Sequence, residues 1–210
     1  MTARRVLVAV VLGSAVAVAG CTGGPAGGPT TGPEGATRTG SPLAGCAALA
    51  VPPPRAAPGR DGPAGGSSPL PAVTLPAVTL PCFTGGEPVA VADLAGPAVV
   101  NFWASWCPPC RDELPALQRF AGQMSGRVHV VGVVTMDNRE TAAALATDTG
   151  ASFPALYDRD GRLHTAVAAS GLPATLFVDA GGRVRYLHNG ELDGAALRRY
   201  AAEHLGVDAP

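Results

Sequence analysis

An apolar run that delivers two cysteines into the first turn of a helix constrains this chain more than any other feature. Ala98-Val99-Val100-Asn101-Phe102-Trp103 is continuous and rich in β-branched and aromatic residues, the pattern of a strand covered on both faces. It leads through Ala104-Ser105-Trp106 into Cys107-Pro108-Pro109-Cys110, and the residues that follow repeat with helical period. A strand of this kind, with a helix starting straight after it, needs a sheet with helices packed on its faces. Two thiols three residues apart on a first helical turn can close into a disulfide and reopen. The unsatisfied N–H groups and macrodipole of a helix N-terminus favour the thiolate of Cys107. The thiolate is the attacking species in disulfide exchange, so this placement predicts a redox dithiol.

A Cys-x-x-Cys pair is also half of a zinc site. Structural zinc takes four ligands, commonly a second such pair or two histidines at short spacing. Of the five cysteines, Cys21, Cys46 and Cys82 stand singly, and His129, His164, His188 and His204 never pair at ligand spacing. No metal and no other cofactor is expected.

The N-terminus reads as a targeting segment over residues 1–20. Arg4 and Arg5 precede an uncharged run from Val6 to Gly20, too short for a comfortable membrane span but of signal-peptide length. The run ends Val18-Ala19-Gly20-Cys21, which resembles a bacterial lipobox with Cys21 as the lipidated residue of the mature chain. Two acyl chains give stable anchoring, so the mature protein is expected on the outer face of the cell membrane, where disulfides persist. Residues 21–72 are dominated by Gly, Pro, Ala, Ser and Thr and read as a flexible tether. Residues 73–210 are then one domain of ordinary size. With a formal net charge of −1, nothing suggests a nucleic-acid surface.

Within that domain the patterns alternate between strand and helix. Pro71-Ala72-Val73-Thr74-Leu75 is duplicated as Pro76-Ala77-Val78-Thr79-Leu80; the first copy reads as tether and the second as strand. Val78–Phe83 and Pro88–Val91 flank Gly85-Gly86 as a hairpin. After the Ala98–Trp103 strand, a helix is predicted from Pro108 to about Ser125, kinked at Pro115. A buried strand follows over Val128–Thr135. Asp137 to Glu140 has capping-box spacing, with Asp137 as N-cap of a helix that ends at Gly150. Ala155–Asp158 is a short extended piece with a turn at Asp160-Gly161. Ala174–Val178 and Arg183–His188 form a second hairpin, and Asp193 caps a last helix ending at Gly206. The order predicts an α/β, thioredoxin-like fold: a central mixed sheet, helices on both faces and an added N-terminal β-hairpin.

Asn101 to Pro115 resembles the signature of the TlpA/ResA-like membrane-anchored thiol–disulfide oxidoreductases, and Gly171-Leu172-Pro173-Ala174-Thr175-Leu176-Phe177-Val178-Asp179 resembles their cis-proline loop and strand. The resemblance spans about residues 76–205. It implies that Cys107 is the exposed nucleophile and that Cys110 resolves the mixed disulfide. Trp106, Pro108 and Pro109 shape the surface around the thiols, and a cis bond at Pro173 offers the backbone of Leu172 to a substrate peptide. Asn101 stands where cytoplasmic thioredoxins carry a buried aspartate. Glu113, one helical turn after Cys110, is the implied proton acceptor if it is buried, and an ordinary solvated glutamate if it is not.

Cys46 and Cys82 are the leftover thiols, and outside the cytoplasm such thiols pair. Similar extensions in actinobacterial members of the family support that pairing; the rival reading has Cys82 exchanging with the active pair. As partners the resemblance implies protein disulfides, apocytochrome c among them, and a membrane electron donor of the CcdA type. The resulting expectation is an extracytoplasmic reductase of protein disulfides. Its rivals are a dithiol oxidase on the same scaffold and a thioredoxin-fold copper chaperone, which typically uses a wider cysteine spacing plus a histidine. A peroxiredoxin-like peroxidase would need a lone peroxidatic cysteine.

Overall fold

The largely apolar run Ala98–Trp103 lies inside the sheet, as its composition requires. The computed structural model describes residues 40–53 and 73–208. In chain order its elements are β1 (Val73–Thr74), β2 (Thr79–Leu80), β3 (Val89–Ala90), β4 (Ala98–Trp103), α1 (Pro108–Gln123), β5 (His129–Thr135), α2 (Arg139–Thr149), β6 (Ala155–Asp158), α3 (Arg162–Ala166), β7 (Ala174–Val178), β8 (Arg183–Asn189) and α4 (Gly194–Leu205). Six strands form one sheet in the order β1-β8-β7-β4-β5-β6, and β2 pairs with β3 separately. All six residues of β4 are buried, between β5 running parallel and β7 running antiparallel.

Alternation along β4 divides the core in two. Val99 and Trp103 join Leu114, Leu117 and Phe120 of α1, Leu145 of α2 and Leu197 of α4. Val100 and Phe102 join Leu163 of α3, Leu80 of β2 and the turn carrying Cys46 and Leu49. Asn101 shares the parity of Val99 and Trp103, which aims it at the α1 side. A mixed sheet with helices on both faces is the thioredoxin-like fold expected from the sequence. Among the described residues no helix is long and apolar enough to cross a membrane.

Several local expectations need correction. Residues 40–53, inside the stretch read as tether, lie against the folded domain: Leu43, Cys46 and Leu49 are buried. Ala44 N–H donates to Ser152 O at 3.0 Å and Ala95 N–H to Leu49 O at 3.0 Å. Three buried residues at a spacing of three, the middle one disulfide-bonded to Cys82, face the domain, and the surrounding Gly/Pro composition hides them. The first copy of the duplicated pentapeptide is an edge strand, with Val73 opposite Val184. The second copy supplies β2, with Thr79 opposite Ala90, as expected for the hairpin.

α2 is capped by Asn138, whose side chain accepts from Thr141 N–H at 2.9 Å. Asp137 is not the cap, because its carboxylate is engaged elsewhere. α3, directly after the turn expected at Asp160-Gly161, is a helix that the sequence pattern does not predict. Its start is held by Asp158 Oδ2, which accepts from the Leu163 and His164 N–H groups at 3.1 Å each. α1 continues through Pro115.

Two glycines are required by close approach. A Cβ on Gly96 would lie 1.9 Å from Asp179 O, and one on Gly132 would lie 2.8 Å from Trp103 Nε1. The second contact explains how a residue as large as Trp103 fits flat against β5.

Candidate active site

The last residue of β4 and the first turn of α1 are separated by only four residues, so the sheet itself aims the dithiol. Cys107 is the N-cap of α1, with Pro108 and Pro109 on its first turn, where a missing N–H costs nothing. Cys107 and Cys110 are disulfide-bonded with Cα atoms 5.3 Å apart. The Cys110 N–H also points at Cys107 Sγ, 3.3 Å away. This is the donor that would steady a Cys107 thiolate after reduction, together with the helix N-terminus. Cys107 was expected to be exposed; in the disulfide form it is 3% exposed and Cys110 is wholly buried. Its sulfur is bonded to Cys110, and both residues are buried in this form.

Trp106, immediately before the pair, is 57% exposed, and its indole Nε1–H donates to Met136 O at 3.0 Å. Met136 is itself 46% exposed, with φ of 50°. The next residue, Asp137, holds the loop that carries Trp106. Its carboxylate accepts from Ser105 N–H at 2.6 Å and from Ser105 Oγ–H at 3.0 Å. Asp137 has the spacing of a helix cap in the sequence and Met136 carries no motif; no local pattern announces a bond that spans thirty residues. The Leu172–Pro173 peptide is cis, with Pro173 buried and its carbonyl accepting from Gly190 N–H at 2.9 Å. Leu172 is half-buried and Pro108 exposed.

One helical turn beyond Cys110, a buried polar cluster sits in the α1-side core. Glu113 is 1% exposed. Its Oε1 accepts from Leu192 N–H at 3.0 Å and its Oε2 from Asn101 Nδ2–H at 3.0 Å. Burial pushes the carboxyl from 4.5 up to about 7; the bonds from Asn101 and Leu192 oppose the rise, and Glu191 adds to it. Asn101 Nδ2 also donates to Thr175 Oγ1 at 3.0 Å, while Asn101 Oδ1 has no partner among the described residues. Glu113 is thus buried and not the solvated glutamate of the alternative reading. Thr175 and Leu192 come from distant segments and were not foreseen as its supports.

Cys46 and Cys82 are bonded to each other, with Cα atoms 5.9 Å apart. They belong to the other core cluster, away from the Cys107–Cys110 pair, so Cys82 is a staple and not an exchange partner in this state. Cys21 lies outside the described residues. Among those described, no group of three or more His, Cys, Asp or Glu side chains is placed to hold a metal ion.

The arrangement supports thiol chemistry: two sulfurs at a helix start, an apolar platform beside them and a carboxyl poised near neutrality one turn on. The profile of the AhpC/TSA family matches residues 69–187. The thiol:disulfide interchange protein DsbE of Yersinia pestis is 38% identical over 98 residues, covering 46% of this chain and 50% of that protein. The chain spans about half the length of the curated relatives it matches. A secreted Mycobacterium tuberculosis disulfide oxidoreductase homologous to E. coli DsbE superposes with a TM-score of 0.54 at 26% identity, over 60% of this chain and 96% of that one. A thioredoxin-family thiol:disulfide interchange protein of Chlorobium tepidum gives 0.57 at 25% identity, over 65% and 99%.

Proposed function

The chain belongs to the AhpC/TSA family, and we propose that within it this is a TlpA/ResA-type thiol–disulfide oxidoreductase, lipid-anchored through Cys21, that reduces protein disulfides outside the cytoplasm. The observation that carries the reading is the Cys107–Cys110 pair at the start of α1, one turn from a buried carboxyl held near pH 7. DsbE relatives are named for thiol:disulfide interchange, which supports the same chemistry here.

In the forward cycle the Cys107 thiolate attacks one sulfur of a client disulfide. The client S–S bond breaks, one client thiolate leaves, and a mixed disulfide forms. Cys110 passes its proton to Glu113, and the resulting thiolate attacks Cys107 Sγ. The second client sulfur leaves as a thiolate, and Cys107 and Cys110 end as the disulfide. Two electrons have moved from the dithiol to the client. A membrane thiol carrier of the CcdA type supplies two electrons and restores the dithiol, and the proposed client is the disulfide between the paired cysteines of apocytochrome c, which leaves as two thiols. Trp106, next to Cys107 in the chain, and Leu172, before the cis Pro173, are proposed to seat the client; an extended peptide would lie against Leu172 as an added strand.

The same geometry run in reverse is an oxidase, and only the reduction potential separates the two. Equilibration of a Cys46→Ser/Cys82→Ser variant with dithiothreitol or glutathione buffers reads the Cys107/Cys110 couple alone. A value near or below about −270 mV, thioredoxin's, is expected; one near about −120 mV, DsbA's, would overturn the reductase reading.

A further inference from the structure

The buried amide of Asn101 is fully used at one end and idle at the other. Its nitrogen donates to both Glu113 Oε2 and Thr175 Oγ1, at 3.0 Å each, while its oxygen has no partner among the described residues and the residue is wholly buried. An unpaired buried acceptor is costly, so such an arrangement persists where it serves a purpose. The purpose is legible from Glu113, whose two oxygens each accept one N–H. That is the correct surrounding for a carboxylate and the wrong one for a carboxylic acid. Once Oε2 carries a proton, its O–H faces an N–H, donor against donor.

We propose that Asn101, steadied by Thr175, is a positioning residue that partners the Glu113 carboxyl in both of its protonation states by turning its amide end for end. The two ends of an amide are almost the same size, so a half-turn about Cβ–Cγ changes hydrogen bonding and little else. After the turn, Oδ1 accepts from the Glu113 O–H. The Thr175 hydroxyl, an acceptor before, rotates and donates to the same oxygen. Either arrangement leaves one amide end idle, so neither state is strongly preferred and the carboxyl finds a partner in both. An aspartate at position 101 would set a second carboxylate against Glu113, and a leucine would partner neither state.

Of the groups packed around Glu113, Thr175 on β7 and the Leu192 amide are neutral. Glu191 supplies a negative charge from the loop before α4, and Cys110 is the titratable group one turn back on α1. The proposal rests on the reading of Glu113 as acceptor of the Cys110 proton. In that step the proton moves from Cys110 Sγ to a Glu113 oxygen, no electrons are transferred, and the amide turn follows.

The test uses NMR on the full-length protein in its disulfide form, where Cys110 does not titrate. Carboxyl carbons of glutamate and the side-chain nitrogen of Asn101 are followed from pH 5 to 9. The Asn101 side-chain N–H resonances are expected to shift with the same midpoint as the Glu113 carboxyl. Thr175→Val should raise that midpoint by about 0.5–1 pH unit, because the ionised state then leaves one amide N–H buried without an acceptor. Thr175→Ser should return it to the wild-type value. An Asn101 resonance that stays still while Glu113 titrates would overturn the proposal, and so would an unmoved midpoint in Thr175→Val. The underlying reading is tested apart, by the pH profile of disulfide exchange in Glu113→Gln. A profile identical to wild type removes Glu113 as proton acceptor and leaves the NMR result standing on its own.

Discussion

The two disulfides of this molecule are alike in burial and opposite in setting. Cys46 and Cys82 are 6% and 1% exposed, Cys107 and Cys110 3% and 0%, so accessibility does not distinguish the two bonds. Their surroundings do. Cys46–Cys82 closes a sequence separation of 36 and sits among Leu49, Leu80, Val91 and Leu156. The setting favours a thiolate less: Cys46 Sγ lies 3.4 Å from Ala155 O, an acceptor, Cys46 precedes only the short 3-10 turn Ala47–Ala50 without a side-chain capping bond, and Cys82 Sγ has a single hydroxyl, that of Thr84, 3.5 Å away. Cys107–Cys110 closes a separation of 3 at a helix start, with the Cys110 N–H aimed at Cys107 Sγ and Glu113 on the next turn. What makes a disulfide exchange is the field and proton acceptor around it.

The largest effect should come from removing the attacking sulfur. Cys107→Ser is expected to lower the rate of insulin-disulfide reduction at least ~1,000-fold, to background, since the remaining thiol on α1, Cys110, is wholly buried. Cys46→Ser/Cys82→Ser should leave that rate per folded molecule within about twofold, because the staple belongs to the other core cluster.

Glu113→Gln is next. Loss of the proton acceptor is expected to slow turnover roughly 10- to 100-fold near neutral pH and to flatten its pH dependence. The same substitution has a stability signature of opposite sign. The folded carboxyl titrates at about 7 against 4.5 for the free group, so the folded state binds the proton more tightly. Its contribution is therefore fully present below pH 4.5 and is lost as pH rises through about 7, a change on the order of 3 kcal/mol. Urea midpoints measured from pH 4 to 8 should fall with pH in the wild type by more than in Glu113→Gln.

The reactive disulfide was legible in the sequence because every part of it is local. Strand, cysteines, prolines and Glu113 lie within sixteen consecutive residues, and helical period alone puts Glu113 one turn from Cys110. The second pair was legible only by elimination, as two leftover thiols. The supports were not legible, for a physical reason. Thr175, Leu192 and Asp137 act on partners 74, 79 and 32 residues away, and nothing in their own neighbourhoods marks them. Asp137 went further and misled: a carboxylate three residues before Glu140 imitates a capping box, while Asn138 one place on satisfies the helix and frees Asp137 to hold Ser105. The strap was missed because averaged composition hides three well-placed apolar side chains.

Asp137 supplies a milder way to sharpen the contrast between the two disulfides. Asp137→Ala removes both bonds to Ser105 and leaves the Trp106 loop held by the indole bond to Met136. A threefold to tenfold fall in kcat/KM for a peptide disulfide is expected, with kcat less affected, since the platform rather than the sulfur is disturbed. Equal loss in kcat would place Asp137 in the chemistry.

The smallest effect on exchange, and the clearest on stability, belongs to the staple itself. Severing Cys46–Cys82 releases the unfolded chain from a loop whose closure is worth at most about 4 kcal/mol, and the strap remains held only by Leu43, Leu49 and its hydrogen bonds. A loss of roughly 2–4 kcal/mol in urea denaturation is expected for Cys46→Ser/Cys82→Ser, with proteolytic cleavage appearing first between residues 40 and 53. The Leu49→Ala variant, with the disulfide intact, separates the contributions: if the strap is seated by packing, it should lose about 2 kcal/mol or more. If the cross-link alone seats it, Leu49→Ala will be nearly silent. The first result would mean that the strap is a genuine part of the core, sealed by its disulfide. In that case the two sulfur pairs differ in kind: one closes a packed structure that already holds, and the other opens and closes in order to act.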